Sequence, residues 1–362
     1  MRLNRVLIAT LVLATVGGAY WHRSQNPGQA APTATSALDT SSPISPDDGA
    51  IAAAPALPPA AAAATPSLET TSESGFGPLP ALDVPLADAM ATLEHRAAAG
   101  DAAAACRLAA ELARCDQLRF RLTDTQRRLD WEQQRIAQRP ERSGNNDAFK
   151  RHLDSLTRSS ERLITESQHC SGVAPADPGR IAQLWRTAAL TGHGPSLRHY
   201  ASGNAFRMRD TLRNLDALRR YQQEAESLAL RAARGGDVML QFTLANAYAA
   251  GDEQGGRYLL AQSVQPDPAR ALAIFLHLQR ALPDSGVANQ PRIADLLSRR
   301  ISQLRSELSA ADTARAETEA LALQQDWARA DWPDSLDQRM LEAGATPAAS
   351  RESCDDGKFA SE

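Results

Sequence analysis

Ala232-Ala233-Arg234-Gly235-Gly236, then Leu244-Ala245-Asn246-Ala247-Tyr248, then Asp267-Pro268-Ala269-Arg270-Ala271-Leu272: this succession decides the fold. Paired alanines carry little bulk, so two helices can approach closely there. Gly236 ends its helix with a left-handed turn that other residues resist. The next helix runs back with Leu244 and Tyr248 four residues apart on one face. Asp267 then caps the orphan amides of a further helix. Pro268 takes the first helical position, where its missing amide proton costs nothing. Such a helix–turn–helix unit cannot bury its apolar face alone and must stack on neighbours.

Working outward, the same signs recur. Gly100 closes Arg96-Ala97-Ala98-Ala99-Gly100, and Gly192 closes Ala188-Ala189-Leu190-Thr191-Gly192. Eight residues after the three glycines stand Leu108, Tyr200 and Leu244; twelve after stand Leu112, Asn204 and Tyr248, so the middle unit departs at Asn204. Asp177-Pro178-Gly179-Arg180 leads to Leu184-Trp185, as Asp267-Pro268-Ala269-Arg270 leads to Ile274-Phe275. Trp185, Tyr200, Tyr248 and Phe275 therefore read as packing residues rather than a ligand cage.

Composition agrees with helices. Of 362 residues, 43% are hydrophobic, mostly Ala and Leu, and only 5% aromatic. A β-sandwich or barrel needs more Val, Ile and aromatics. The net charge of −4 excludes a chain-wide basic footprint for nucleic acid. The length allows two or three domains.

With the glycine turns, the Leu and Tyr positions and the Asp-Pro caps in place, the chain resembles the Sel1-like repeat family, relatives of the tetratricopeptide repeats. The resemblance covers residues 85–115 and 177–283, most clearly the unit from Ala232 to Leu272. It implies an α-solenoid of helix–turn–helix repeats that serves as an interaction scaffold. Some members of the family are associated with β-lactam or peptidoglycan contact, which supplies the alternative of an envelope enzyme or cell-wall ligand binder.

Repeat spacing exposes an insertion. Gly192 to Gly236 is 44 residues, whereas Gly100 to Gly192 is 92, a surplus of 48. The surplus falls at residues 117–169 and reads as two helices, 117–139 and 147–169. Pro140 and Ser143-Gly144-Asn145-Asn146 form the turn between them. Leu118, Leu122, Leu129 and Ile136 recur along the first helix, and Phe149, Leu153, Leu156 and Leu163 along the second. Folded antiparallel, two equal helices bring their outer ends together, and those ends carry Cys115 and Cys170. A Cys115–Cys170 disulfide at the hairpin base is the expectation; four free thiols are the alternative. Cys106 and Cys115 cannot pair within one straight helix, where nine residues rise about 13 Å and the bond needs α-carbons within about 7 Å. Cys354, in a polar tail, either returns to Cys106 or stays a free surface thiol. The hairpin's many arginines alternate with Asp and Glu, as on a solvated helix face.

Past Gly236, Ile293, Leu296, Leu297, Ile301 and Leu304 form an apolar stripe, and Leu308-Ser309-Ala310-Ala311-Asp312 reads as a helix cap. A last helix is expected to reach Ala330, with Pro333 ending the pattern. These helices suit the terminal cap that a solenoid needs. The repeat domain spans 82–335, and 336–362 reads as a flexible tail.

At the other end, Arg2 and Arg5 precede Val6 to Trp21, sixteen residues without a charge. The basic flank keeps the N-terminus in the cytosol and sends the rest across the membrane. Residues 1–23 are either a signal anchor or a cleaved signal peptide, cut near Gly17-Gly18-Ala19. Residues 24–81, built from Ala, Pro, Ser and Thr, lack the bulk to fold and form a disordered linker. As a coil it would span roughly 40 Å. The expected location is the bacterial inner membrane with the folded domain in the periplasm, or the periplasm alone after cleavage.

Chemical motifs give little. The chain has no His-Glu-x-x-His, phosphate loop, dinucleotide fingerprint or Gly-x-Ser-x-Gly. His169 beside Cys170 suggests a thiol–imidazole pair only weakly, because adjacent helical residues diverge. His193 and His199 are six apart, poor for a shared metal, and read as surface residues. The expectation is therefore a non-enzymatic scaffold with no cofactor or metal, binding a protein or peptide in the envelope through residues the sequence does not identify.

Overall fold

Asp-capped and glycine-terminated helices dominate the computed structural model, which describes residues 75–138, 147–249, 258–283, 287, 290–333, 337–342 and 344–356. Helix α1 (Leu86–Ala98) meets α2 (Ala102–Gln138) through Gly100; α3 (Asp147–Ser167) follows. Helix α4 (Pro178–Leu190) meets α5 (Gly194–Ala201) through Gly192, and α6 (Leu215–Arg234) meets α7 (Val238–Ala249) through Gly236. The fold is all-α: among the described residues the only β-type pairing is an isolated bridge between Asp237 and Asp331. No described helix is long and apolar enough to cross a membrane. The apolar run 6–21, most of the linker, Gly251 and the turn at 140–146 lie outside the described residues.

The three organising glycines have φ of 92°, 91° and 94°. Each ends its helix the same way. Gly100 donates to the Ala97 carbonyl and Asp101 to that of Arg96; Gly236 donates to Ala233 and Asp237 to Ala232. The aspartate then starts the next helix: Asp101 accepts from the Ala104 amide and Asp237 from the Leu240 amide, both at 3.1 Å. One Gly-Asp pair thus closes one helix and opens another. In the middle unit His193 takes the aspartate's place and makes no side-chain cap. At Gly236 a side chain is also sterically barred, since a Cβ would lie 2.5 Å from the Arg329 carbonyl oxygen. Residues 328–331 pass against this turn, with Ala328 donating to Arg234 at 2.8 Å and Asp331 to Gly236 at 2.9 Å.

The Asp-Pro signals fall where their chemistry requires. Asp177 accepts from the Arg180 amide at 3.2 Å and Asp267 from the Arg270 amide at 3.0 Å. The second cap opens α8 (Pro268–Ala281), which packs on α7, α9 (Gln290–Glu307) and α10 (Ala310–Asp326). Ser309 caps α10, accepting from the Asp312 amide at 3.1 Å. That helix ends at Asp326, short of the expected Ala330, and Trp327 turns into the core. Trp185, Tyr200, Phe275 and Tyr248 are buried, each at most 2% exposed.

The inserted hairpin forms, with one difference. Its first arm is no separate helix but the continuation of α2, which runs unbroken for 37 residues. No residue near 117 interrupts helical propensity, so the helix that starts at Ala102 continues into the hairpin. Leu118 and Leu163 are buried near the base, while Leu129, Ile136, Phe149, Leu153 and Leu156 are half-buried farther out. A disulfide joins Cys115 to Cys170 with α-carbons 5.6 Å apart. A second joins Cys106 to Cys354, also at 5.6 Å.

That second bond overturns the expectation of a flexible tail after 336. Helix α11 (Gln338–Glu342), residues 344–352 and helix α12 (Ser353–Asp356) form a strap across the helices. Thr346, Ser353 and Cys354 are buried. The strap's polar sequence hides this packing because its partners are polar too. Arg107 of α2 donates to Asp355 at 2.6 Å and to the Arg351 carbonyl at 3.2 Å. Asn204 donates to the Thr346 carbonyl at 3.1 Å. The linker's end is pinned as well: Arg96 bonds the Pro78 carbonyl at 2.7 Å and Arg351 that of Leu82 at 3.1 Å. Folded structure therefore begins before residue 82.

Candidate binding cleft

A cleft of about 470 Å³ opens where α2, α4, the end of α5 and the strap converge. Helix α2 presents Ala110, Ala113, Arg114 and Gln117, which share one face by their three- and four-residue spacing. Helix α4 contributes Pro178, Ile181 and Trp185; Ala348 to Glu352 of the strap form the opposite wall. The 3-10 turn Met208–Arg213, flanked by Arg207 and Asn214, closes one end.

The floor is apolar and the histidine within it is neutral. His199 stacks on Trp185 with ring centroids 4.0 Å apart. Burial, with a smaller push from Arg207, lowers its pKa to about 3. Its Nδ1 accepts from the Ala349 amide at 2.9 Å, so the remaining proton sits on Nε2. His199 is thus no surface residue, contrary to the sequence expectation. His193 is half-buried, with Nδ1 3.0 Å from Ser196 Oγ, and burial lowers its pKa too.

Most charges around the cleft bind one another. Arg207 donates to Asp116 at 2.6 Å and to the Ala113 carbonyl at 2.7 Å. Burial pushes the Arg207 guanidinium down from its ordinary pKa, and Asp116 opposes that push. Arg209 also bonds Asp116, and Gln117 at 3.1 Å. Behind the strap, Glu111 receives Arg107 at 3.2 Å, Arg351 at 3.4 Å and His169 Nε2 at 3.0 Å. His169 therefore faces a carboxylate, and its neighbour Cys170 is spent in a disulfide. Among the described residues Arg114 makes no ion pair, leaving it as the rim's unpaired cation.

No family model matches the chain, and neither does any curated protein or solved structure.

Sequence reasoning missed the strap's anchors. Arg107 and Glu111 are both 2% exposed, four apart on one face of α2. An Arg–Glu pair inside Cys106-Arg107-Leu108-Ala109-Ala110-Glu111-Leu112 was the available signal, since charges seldom lie in so apolar a run unless paired. Asn204 was the other. Its departure from the Leu/Tyr position is where the strap is held, by hydrogen bonds to Thr346.

Proposed function

We propose that this chain is a bacterial periplasmic scaffold, tethered to the inner membrane by residues 1–23, that binds a protein or peptide segment in the cleft between α2, α4 and the strap. On this reading the helix pairs are degenerate Sel1-like repeats stacked as an α-solenoid, and the Ala/Pro/Ser/Thr-rich linker that starts at residue 24 is the spacer from the membrane. The observation that carries the reading is the cleft: an apolar floor, two walls joined by the Cys106–Cys354 disulfide, and, among the described residues, rim charges already paired except Arg114. Such a site orients a ligand by shape and a few polar groups. The neutral, hydrogen-bonded His199 and the mutually paired carboxylates support binding rather than proton transfer. Two disulfides favour an oxidising compartment.

The test is site-specific photo-cross-linking in cells. A photoreactive residue at position 114 on the rim is compared with one at Leu321, 54% exposed on α10. The reading expects a discrete envelope protein captured from position 114 and not from 321. No adduct, or the same adducts from both positions, contradicts it.

A further inference from the structure

Buried polar groups are almost always hydrogen-bonded, so a buried amide that bonds nothing in its own chain points outside it. Asn214 is such a group. It is 3% exposed and precedes α6, where an asparagine side chain commonly caps the helix, yet it makes no cap bond. Its Oδ1 is buried without a partner, and its Nδ2 makes no hydrogen bond among the described residues. Only its backbone is tied: the amide donates to the Thr211 carbonyl at 3.0 Å, and the carbonyl accepts from the Leu218 amide at 2.8 Å. One side chain thus offers both donor and acceptor and uses neither.

Its place gives the direction. Asn214 lines the cleft and also a second depression of about 450 Å³, so the two hollows adjoin at its side chain. Pro178 and Gly179 at the start of α4 mark the same boundary, the proline lining the cleft and the glycine the depression. A Cβ at Gly179 would stand 3.7 Å from Asn214 Oδ1, and glycine leaves that space open. Beyond it the depression is lined by Leu212 and Leu215, which are 84% and 46% exposed. The charges lining the cleft cancel, with Arg114, Arg207 and Arg351 against Asp116, Asp210 and Glu352. Those lining the depression nearly do, with Arg213, Arg219 and Arg220 against Asp177 and Asp216. Among the described residues two other groups of the cleft find no partner, the His199 Nε2 proton and the Arg114 guanidinium.

We propose that the occupant is an extended, largely apolar peptide segment that runs from the cleft across Asn214 into the depression, with one of its backbone amides bonded to the Asn214 side chain. The inference rests on the reading of the cleft as a protein-binding site and names the chemistry of its partner. A peptide group presents one N–H and one C=O, the two partners that a side-chain amide seeks. The terminal torsion of asparagine is soft, so a small rotation offers either atom to the ligand. Residues on one side of the bonded amide rest on Ile181 and the cleft floor, and residues on the other side on Leu212 and Leu215. The balanced lining selects a segment of near-zero charge, because a nucleotide or other polyanion would lose its hydration without gaining counter-charges. Three unmet groups are also too few for the many hydroxyls of a saccharide.

The probe is a phage-displayed library of random short peptides, selected on the full chain in detergent; one selected peptide is then titrated by fluorescence polarisation. Selected sequences should be rich in apolar residues and close to zero net charge. Asn214→Leu should weaken binding at least about tenfold, as expected for the loss of a buried hydrogen-bonded amide. Without peptide the same variant should keep or raise the urea midpoint, because leucine replaces an amide that the chain leaves unbonded. Asn214→Asp keeps the size and is able to cap α6, yet its carboxylate has no donor, so it should bind as weakly. The proposal is overturned by unchanged affinity in either variant, by a lower urea midpoint in both, or by a selection dominated by charged sequences. It is also overturned if no peptide is selected while a photoreactive residue at position 114 still captures an envelope protein; the scaffold reading then stands without it. If neither the library nor position 114 captures anything, the scaffold reading fails and this inference with it.

Discussion

Replacing Cys354 and Cys106 by serine should release the strap while leaving the helices folded. The part of the strap beyond helix α11, residues 344–356, has thirteen residues. Fixing their backbone costs roughly 1 kcal/mol each at the low end, about 13 kcal/mol together. Eight hydrogen bonds and ion pairs of 3.4 Å or shorter hold it to His199, Ser202, Asn204, Arg107, Glu111 and Leu82. At about 1 kcal/mol each they contribute about 8 kcal/mol. The Cys106–Cys354 bond, spanning 248 residues, adds about 5 kcal/mol by loop entropy. Bond and polar contacts together match the cost; the polar contacts alone do not. Hydrogen exchange read by mass spectrometry should therefore show the Ala349 and Ser353 amides opening in the double variant, with α4 and α6 still protected. Global stability from urea unfolding should fall by about 2–5 kcal/mol. Unchanged protection at Ala349 and Ser353 would refute the reasoning.

Two further outcomes follow from the geometry. Gly100→Ala meets no atom within 4 Å and suffers only the left-handed backbone, about 1–2 kcal/mol. Gly236→Ala drives a methyl into the Arg329 carbonyl and should lose clearly more in the same urea assay; equal losses would contradict the close approach. The second outcome concerns pH. His199 titrates near 6.5 unfolded and about 3 folded, so its contribution is full above pH 6.5 and lost as the pH falls toward 3. Between pH 6.5 and 4.5 that amounts to about 2.3 kcal/mol. His193 and His277, also lowered by burial, act in the same direction. His199→Phe should therefore flatten, not abolish, the acid loss of stability, read as urea midpoints at the two pH values.

What the sequence revealed was local. Asp177, Asp267 and Ser309 act on amides three residues away, and Gly100, Gly192 and Gly236 on carbonyls three residues back, so spacing alone exposes them. The hairpin base was legible because two arms of equal length force Cys115 and Cys170 together. The strap was not legible, because Arg107 and Asp355 stand 248 positions apart and no periodicity links them. The cleft escaped for the same reason: its opposite wall, Ala348 to Glu352, comes from a segment whose polar composition imitates a solvated tail. His199 was misread because a lone imidazole in sequence carries no sign of the Trp185 ring that covers it.

The most direct test of the whole account is non-reducing peptide mapping of the full chain isolated from its native cells. Strap, cleft wall and oxidising location all depend on the cysteine pairing. The account predicts Cys106 linked to Cys354 and Cys115 linked to Cys170, with no cysteine open to alkylation before reduction. Alkylation of Cys354 and Cys106 in the folded protein, or any other pairing, would contradict it.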